Sequence, residues 1–251
     1  MLLFLLFCKL KSFATGSSKE VPQLALNMAD LQQTKEHFER ALDIQLEKLG
    51  PEHIDVAVTY NDLGVVHRNI GNLQQAKKYY ERALDIRLKT LGPEHIDVAA
   101  SCNNLGSVQC NMGNLQQAKE YHGCALDIRL KKLGPEHIDV AASYNNLANV
   151  QRDMGNLQQA KEYHERALDI RLKKLGPEHI DVAASYNNLA NVQRDMSNLQ
   201  QAKEYYERAL DIRLKKLGPE HIGVAPFYNN LANVQRDMAT CSRPRSIWNV
   251  P

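Results

Sequence analysis

The phrase LGPEHI recurs with its leucine at Leu49, Leu91, Leu133, Leu175 and Leu217, a constant step of 42 residues. A second phrase, NLQQAK, keeps the same register from Asn72, Asn114, Asn156 and Asn198, and DLQQTK at 30–35 is a worn copy one step earlier. A fixed period of this size restricts the fold more than any bulk property. Copies that stack on one another grow without closing a single core, so length says little about domain number. The units beginning at Leu133 and Leu175 differ only at Gly155/Ser197 and His164/Tyr206, which marks them as recent duplicates.

Within the third unit, Val140, Tyr144, Leu147, Ala148 and Met154 fall at helical spacing. Gly155 suits a position of positive φ after that helix, and Asn156 suits the N-cap of the next, with Gln159 completing a capping-box arrangement. The second helix is expected to bury Leu157, Ala160, His164, Ala167, Leu168, Leu172 and Leu175. Gly134 and Gly176, each followed by proline, close one unit and open the next. Small residues at Ala148, Ala160 and Ala167 let the two helices approach, and Tyr144 and Leu147 fill the space between them. One such hairpin cannot bury both of its apolar faces, so it must stack on copies of itself. The expected fold is all-α, an α-solenoid of helix–turn–helix hairpins.

The unit LGPEHIDVAASYNNLANVQRDMGNLQQAKEYHERALDIRLKK resembles the 42-residue tetratricopeptide repeat of kinesin light chains and nephrocystin-type proteins. Leu147, Ala148, Ala160 and Ala167 match its small and large positions, and His164 stands where that pattern prefers an aromatic residue. Ile54, Ile96, Ile138, Ile180 and Ile222 depart from it, since a proline usually follows the histidine. The resemblance spans about residues 27–238 and implies a right-handed superhelix whose first helices line a concave groove. It also implies protein partners. The expected array occupies 21–238: an orphan second helix at about 30–49, repeats at 51–92, 93–134, 135–176 and 177–218, and a final first helix at 219–238. A non-repeat leader (1–20) and tail (239–251) flank it. Gly223 and Pro226 replace the Asp and Ala of earlier copies, and proline past the first turn of a helix costs about 3 kcal/mol or more. Neither end supplies the polar face that terminal repeats need, which reads as a stretch of a longer array.

Charged residues make up 24% of the chain with a net charge of +2, so neither nucleic acid nor an anionic membrane is an implied partner. The five cysteines, Cys8, Cys102, Cys110, Cys124 and Cys241, form no CxxC pair and are odd in number. Reduced thiols in a cytoplasmic protein fit better than a disulfide framework or a zinc knuckle. Residues 2–8 are an apolar run, but Lys9 and Lys11 follow it and no base precedes it, the wrong polarity for export. A secreted chain is the alternative if residues 1–16 act as a signal peptide.

His53, His95, His137, His179 and His221 share one repeat position. Neighbouring copies should lie about 8–10 Å apart, too far to share a zinc ion held at about 2.0–2.1 Å, so their role reads as structural and no metal or cofactor is expected. The cysteines of the second unit replace Tyr144-, Arg152- and Arg166-type residues and read as drift. No phosphate loop, dinucleotide fingerprint, zinc-protease motif or nucleophile elbow occurs, which argues against an enzyme. Cations ending each second helix, such as Arg129, Lys131 and Lys132 or Arg171, Lys173 and Lys174, complement the helix dipole, with Asp169–Lys173, Lys161–Glu165 and Glu162–Arg166 as surface pairs.

One polar strip is less easily assigned to solvent. Asn145, Asn149 and Arg152 sit at i, i+4 and i+7 of a first helix, off its apolar face. Their counterparts are Asn61 and Arg68, then Asn103, then Asn187, Asn191 and Arg194, then Asn229, Asn233 and Arg236; Val65, Ser107 and Cys110 interrupt the strip. Asparagine is a mediocre helix former, so propensity does not account for it. The resemblance places these residues in the groove. They would bind an extended peptide there, asparagine meeting backbone amides and arginine favouring acidic side chains. The expected function is an adaptor or scaffold for extended, acidic peptide motifs. The alternative is the sensor array of a larger nucleotide-binding signalling ATPase.

Overall fold

The computed structural model describes residues 20–241, with side chains over 30–240; the apolar leader, its signal-peptide reading and the tail beyond residue 241 lie outside them. Ten α-helices and no strand occur among the described residues: α1 (Glu20–Leu49), α2 (Ile54–Ile70), α3 (Leu73–Leu91), α4 (Ile96–Asn111), α5 (Leu115–Leu133), α6 (Ile138–Asp153), α7 (Leu157–Leu175), α8 (Ile180–Asp195), α9 (Leu199–Leu217) and α10 (Ala225–Cys241). They form two compact units, 1–90 and 91–251.

In the first unit, Val56, Ala57 and Leu63 of α2 pack with Leu42 of α1 and with Ala83 and Ile86 of α3. The helix expected at about 30–49 extends N-terminally to Glu20. In the second unit each hairpin buries its own facing residues and those of the next. Val140, Ala141, Tyr144 and Leu147 of α6 meet Ala167 and Ile170 of α7 and Leu126 of the preceding hairpin. Leu168 and Leu172 of α7 in turn pack on the cluster of Val182, Ala183, Ala209 and Phe227. This is the stacked α-solenoid that the period required.

Local chemistry sets the helix ends. Each repeat histidine is the N-cap of a first helix: Nδ1 of His53, His95, His137 and His179 accepts from the backbone N–H two residues on, at 3.1–3.2 Å. The neighbouring isoleucine is then the first helical residue, and Ile54 and Ile138 pack against the core clusters where proline stands in the resembling family. Gly134, Gly176 and Gly218 hold φ near 80° with ψ near 160°, a region open essentially to glycine alone. Gly155 has φ 81°, and its counterpart Ser197 is held at φ 64°.

The last first helix starts late. Ile222–Val224 form a 3₁₀ turn capped by His221, and α10 begins only at Ala225. Pro226 therefore lies in the first helical turn, where its missing N–H is tolerated, so the expected penalty for an interior proline does not arise. The helix also runs on to Cys241, past the expected boundary at 238.

Candidate functional site

Asn145 and its counterparts do not simply point into solvent. Asn146 Nδ2 donates to Asn103 Oδ1 (2.7 Å), Asn188 Nδ2 to Asn145 Oδ1 (2.7 Å) and Asn230 Nδ2 to Asn187 Oδ1 (2.8 Å). Each bond crosses from one first helix to the next. A parallel ladder runs beside it: Arg152 Nε donates to Asp195 Oδ2, and Arg194 Nε to Asp237 Oδ2 at 2.8 Å. Both arginines keep about a third of their side-chain surface exposed. The pairing with Asp237 raises the Arg194 pKa, against partial desolvation, so its charge is secure.

In the second unit these bonds form rungs linking α4, α6, α8 and α10, each joining one strip residue to Asn146, Asn188, Asn230, Asp195 or Asp237, which the strip did not include. Asn149, Asn229 and Arg236 are exposed; Arg236 has 69% of its side chain in solvent beside Asp237. Asn191 accepts from Tyr206 Oη at 2.6 Å, and Asn233 is half-buried. In the first unit, Asn61 Nδ2 lies 3.4 Å from Asp62 Oδ1, and Asn61 and Arg68 are half-buried on α2. The rungs fix a polar edge on α4, α6, α8 and α10, because an asparagine whose amide is held by its neighbour does not reorient freely.

Beneath the strip lies polar chemistry that the sequence reading missed. Gln109, Gln151 and Gln193 are at most 1% exposed. Their Oε1 atoms accept from the Nδ2 atoms of Asn114, Asn156 and Asn198 at 2.8–2.9 Å. Asn156 does hold the N-cap position, but its side chain makes no capping bond and grips the preceding helix instead, so the expected capping box is not formed. In the first unit His67 stands in place of the glutamine, and there Asn72 Oδ1 does accept from Gln75 N–H at 3.3 Å. The signal was visible: Gln151 continues the series Val140, Tyr144, Leu147 at helical spacing.

The arginines that end the second helices also point inward. Arg129 Nη1 donates to Ser143 Oγ (2.7 Å) and Arg171 Nη1 to Ser185 Oγ (2.6 Å), clasping each hairpin to the next. Burial lowers both arginine pKa values, with a carboxylate of the next repeat, Asp139 or Asp181, acting in the opposite sense. In the last copy Phe227 replaces the serine, and the Arg213 guanidinium sits 4.9 Å from its ring centroid. Two expected lysine pairs form: exposed Lys173 with Asp169 at 2.8 Å and half-buried Lys161 with Glu165 at 3.8 Å; exposed Lys131 also pairs with Glu94 at 3.2 Å. For Glu162 and Arg166 the observed partners differ from the expected pair: Gln158 bonds Glu162, and Arg166 lies 5.6 Å over the Tyr144 ring.

Among the described residues no group of three or more His, Cys, Asp or Glu side chains is placed to hold a metal ion, and no helix is long and apolar enough to cross a membrane. Open notches recur where a loop meets the following hairpin, for example at Gly134, Pro135, Glu136, His137, Ile138 and Lys174. They lie at the loop edge, where the Gly-Pro turn meets the next hairpin.

The tetratricopeptide repeat model matches residues 23–89, 55–131, 97–173, 139–215 and 181–239, overlapping windows that run through nearly the whole described chain. The chain belongs to the tetratricopeptide repeat family. No curated protein sequence matches it. Among solved structures, a Podosopora anserina kinesin light chain with nearly identical TPR-like repeats is 28% identical with a TM-score of 0.67, over 79% of this chain and 94% of that one. A single-substitution form of the same protein aligns with a TM-score of 0.68 at 28% identity, over 78% and 92%. BtubC (BKLC) from P. vanneervenii shares the fold with a TM-score of 0.68 at 22% identity, over 86% of this chain and 84% of that one. The repeats are thus of the kinesin light chain-like type, a class that serves protein interaction at the general level.

Proposed function

We propose that the chain is a cytoplasmic scaffold that binds an extended, acidic peptide along the first-helix strip of the second unit, Asn103, Asn145, Asn149, Arg152, Asn187, Asn191, Arg194, Asn229, Asn233 and Arg236; within the first unit, Asn61 and Arg68 offer the same peptide-binding chemistry. The observation that carries this is the pair of ladders. Asparagine amides recur once per repeat at a spacing of about 8–10 Å, close to three residues of an extended strand rising about 3.3 Å each. A peptide lying along them meets a polar group at every third residue. Arg152 and Arg194 already have carboxylate partners, so an acidic side chain shares or displaces Asp195 or Asp237. Arg236 is the cation most open to it.

The ladder residues are poor probes, because truncating one strands its partner. The exposed positions separate binding from packing. A displayed library of random peptides, selected on the full chain, should yield acidic extended sequences. The variant Asn149→Ala/Asn229→Ala/Arg236→Ala should bind them at least tenfold more weakly with an unchanged melting curve. Equal affinity for the variant would move the binding surface to the second helices or the loops.

A further inference from the structure

In the second unit, Cys102 of α4 and Cys124 of α5 bring their Sγ atoms to 3.2 Å. This closeness follows from the repeat. In the next hairpin the same two positions carry Tyr144 and Arg166, whose guanidinium lies 5.6 Å from the ring centroid, and in the one after it Tyr186 and Arg208 are at 5.8 Å. Two positions that touch in each of these copies have both become cysteine in one. Reading each cysteine alone as drift misses that they are partners. Cys110 is eight residues further along α4, about 12 Å at 1.5 Å per residue, and does not belong to the pair.

We propose that Cys102 and Cys124 form a thiol-modification site that low-molecular-weight disulfides convert to an intramolecular disulfide, stapling α4 to α5. Cys124 is exposed and Cys102 buried, which assigns the roles. The Cys124 thiolate attacks one sulfur of the small disulfide, giving a mixed disulfide and releasing one small thiolate. Cys102 then attacks Cys124 Sγ and expels the second, and its proton passes to a departing thiolate. Two protein thiols and one disulfide become one protein disulfide and two small thiols. The hydrogen bond between the sulfurs favours this order: it pulls the Cys124 pKa down to about 7 and pushes that of Cys102 up. Once Cys124 is capped, that restraint on Cys102 disappears. The sulfurs need approach only from 3.2 Å to bonding distance, about 2.05 Å.

The test uses the full chain equilibrated in graded ratios of oxidised to reduced glutathione, trapped with an alkylating agent, digested and analysed by mass spectrometry. The expected result is a Cys102–Cys124 cross-link in monomeric chains, with Cys110 alkylated, and a melting temperature raised by several degrees on oxidation. Cys102→Ser should accumulate glutathione on Cys124, and Cys110→Ser should keep the cross-link. Cys102→Tyr/Cys124→Arg, which restores the pair of the next repeat, should lose the oxidant-dependent rise while remaining folded. A glutathione adduct that persists on Cys124 in the unmutated chain, or cross-links spread over other cysteines, would overturn the proposal.

Discussion

His164 and Tyr206 occupy the same position of two nearly identical repeats, yet they titrate their repeats differently. His164 is 1% exposed and both ring nitrogens lack a partner, whereas the Tyr206 hydroxyl reaches Asn191. Burial, helped by Arg152 and Arg171, pulls the His164 pKa from 6.5 to about 4; burial and Arg129 do the same for His122. Between those pH values the unfolded chain binds more protons than the folded one, so stability falls as pH drops from about 6.5 toward 4. For one such histidine the loss is on the order of 2–3 kcal/mol. His164→Tyr recreates the Tyr206 environment, with Asn149 available as the Asn191 counterpart. Denaturant unfolding between pH 7 and 4.5 should therefore show a shallower decline for the variant, and an unchanged slope would show that His164 is not buried neutral. Nothing in the sequence distinguished the two residues beyond their identity, because burial decides the shift and burial is a property of the stack.

At the scale of the element, the period placed the helices well, and the departures have physical causes. Histidine caps begin the first helices and glycines of positive φ end the hairpins, so α4 to α9 follow the 42-residue period. The late start of α10 follows from Gly223 and Pro226 together: a 3₁₀ turn absorbs the glycine and leaves the proline at a helix start. Side-chain partners across repeats were less legible. Arg129 and Arg171 look like solvated cations because lysines follow them, although Arg87, Arg129 and Arg171 each have a serine fourteen residues on, on the next first helix: Ser101, Ser143 and Ser185. The clasp makes a direct comparison possible. Ser185→Ala deprives a half-buried guanidinium of its acceptor and should cost about 1–3 kcal/mol, whereas Lys173→Ala, at an exposed ion pair, should stay within about 0.5 kcal/mol. Thermal unfolding of the two variants decides it. Similar small effects for both would mean that Arg171 is effectively solvated.

For the molecule as a whole, repetition converts a small polar feature into an extended surface. One Asn–Asn contact is a minor interaction; three in register, with two Arg–Asp contacts beside them, give the second unit a continuous polar edge. The sequence placed these residues on one helix face through their i, i+4, i+7 spacing. It did not show that Asn103, Asn145 and Asn187 are each held by the asparagine of the next repeat, Asn146, Asn188 or Asn230, because residues 43 apart meet only when hairpins stack at a particular rotation. The central claim is that this edge is where an extended peptide lies. Hydrogen–deuterium exchange on the full chain, with and without a selected acidic peptide, tests it most directly. Binding through the strip should slow exchange in first helices 138–153 and 180–195 and leave second helices 157–175 and 199–217 unchanged. Protection confined to the second helices, or to the loops around His137 and His179, would contradict it.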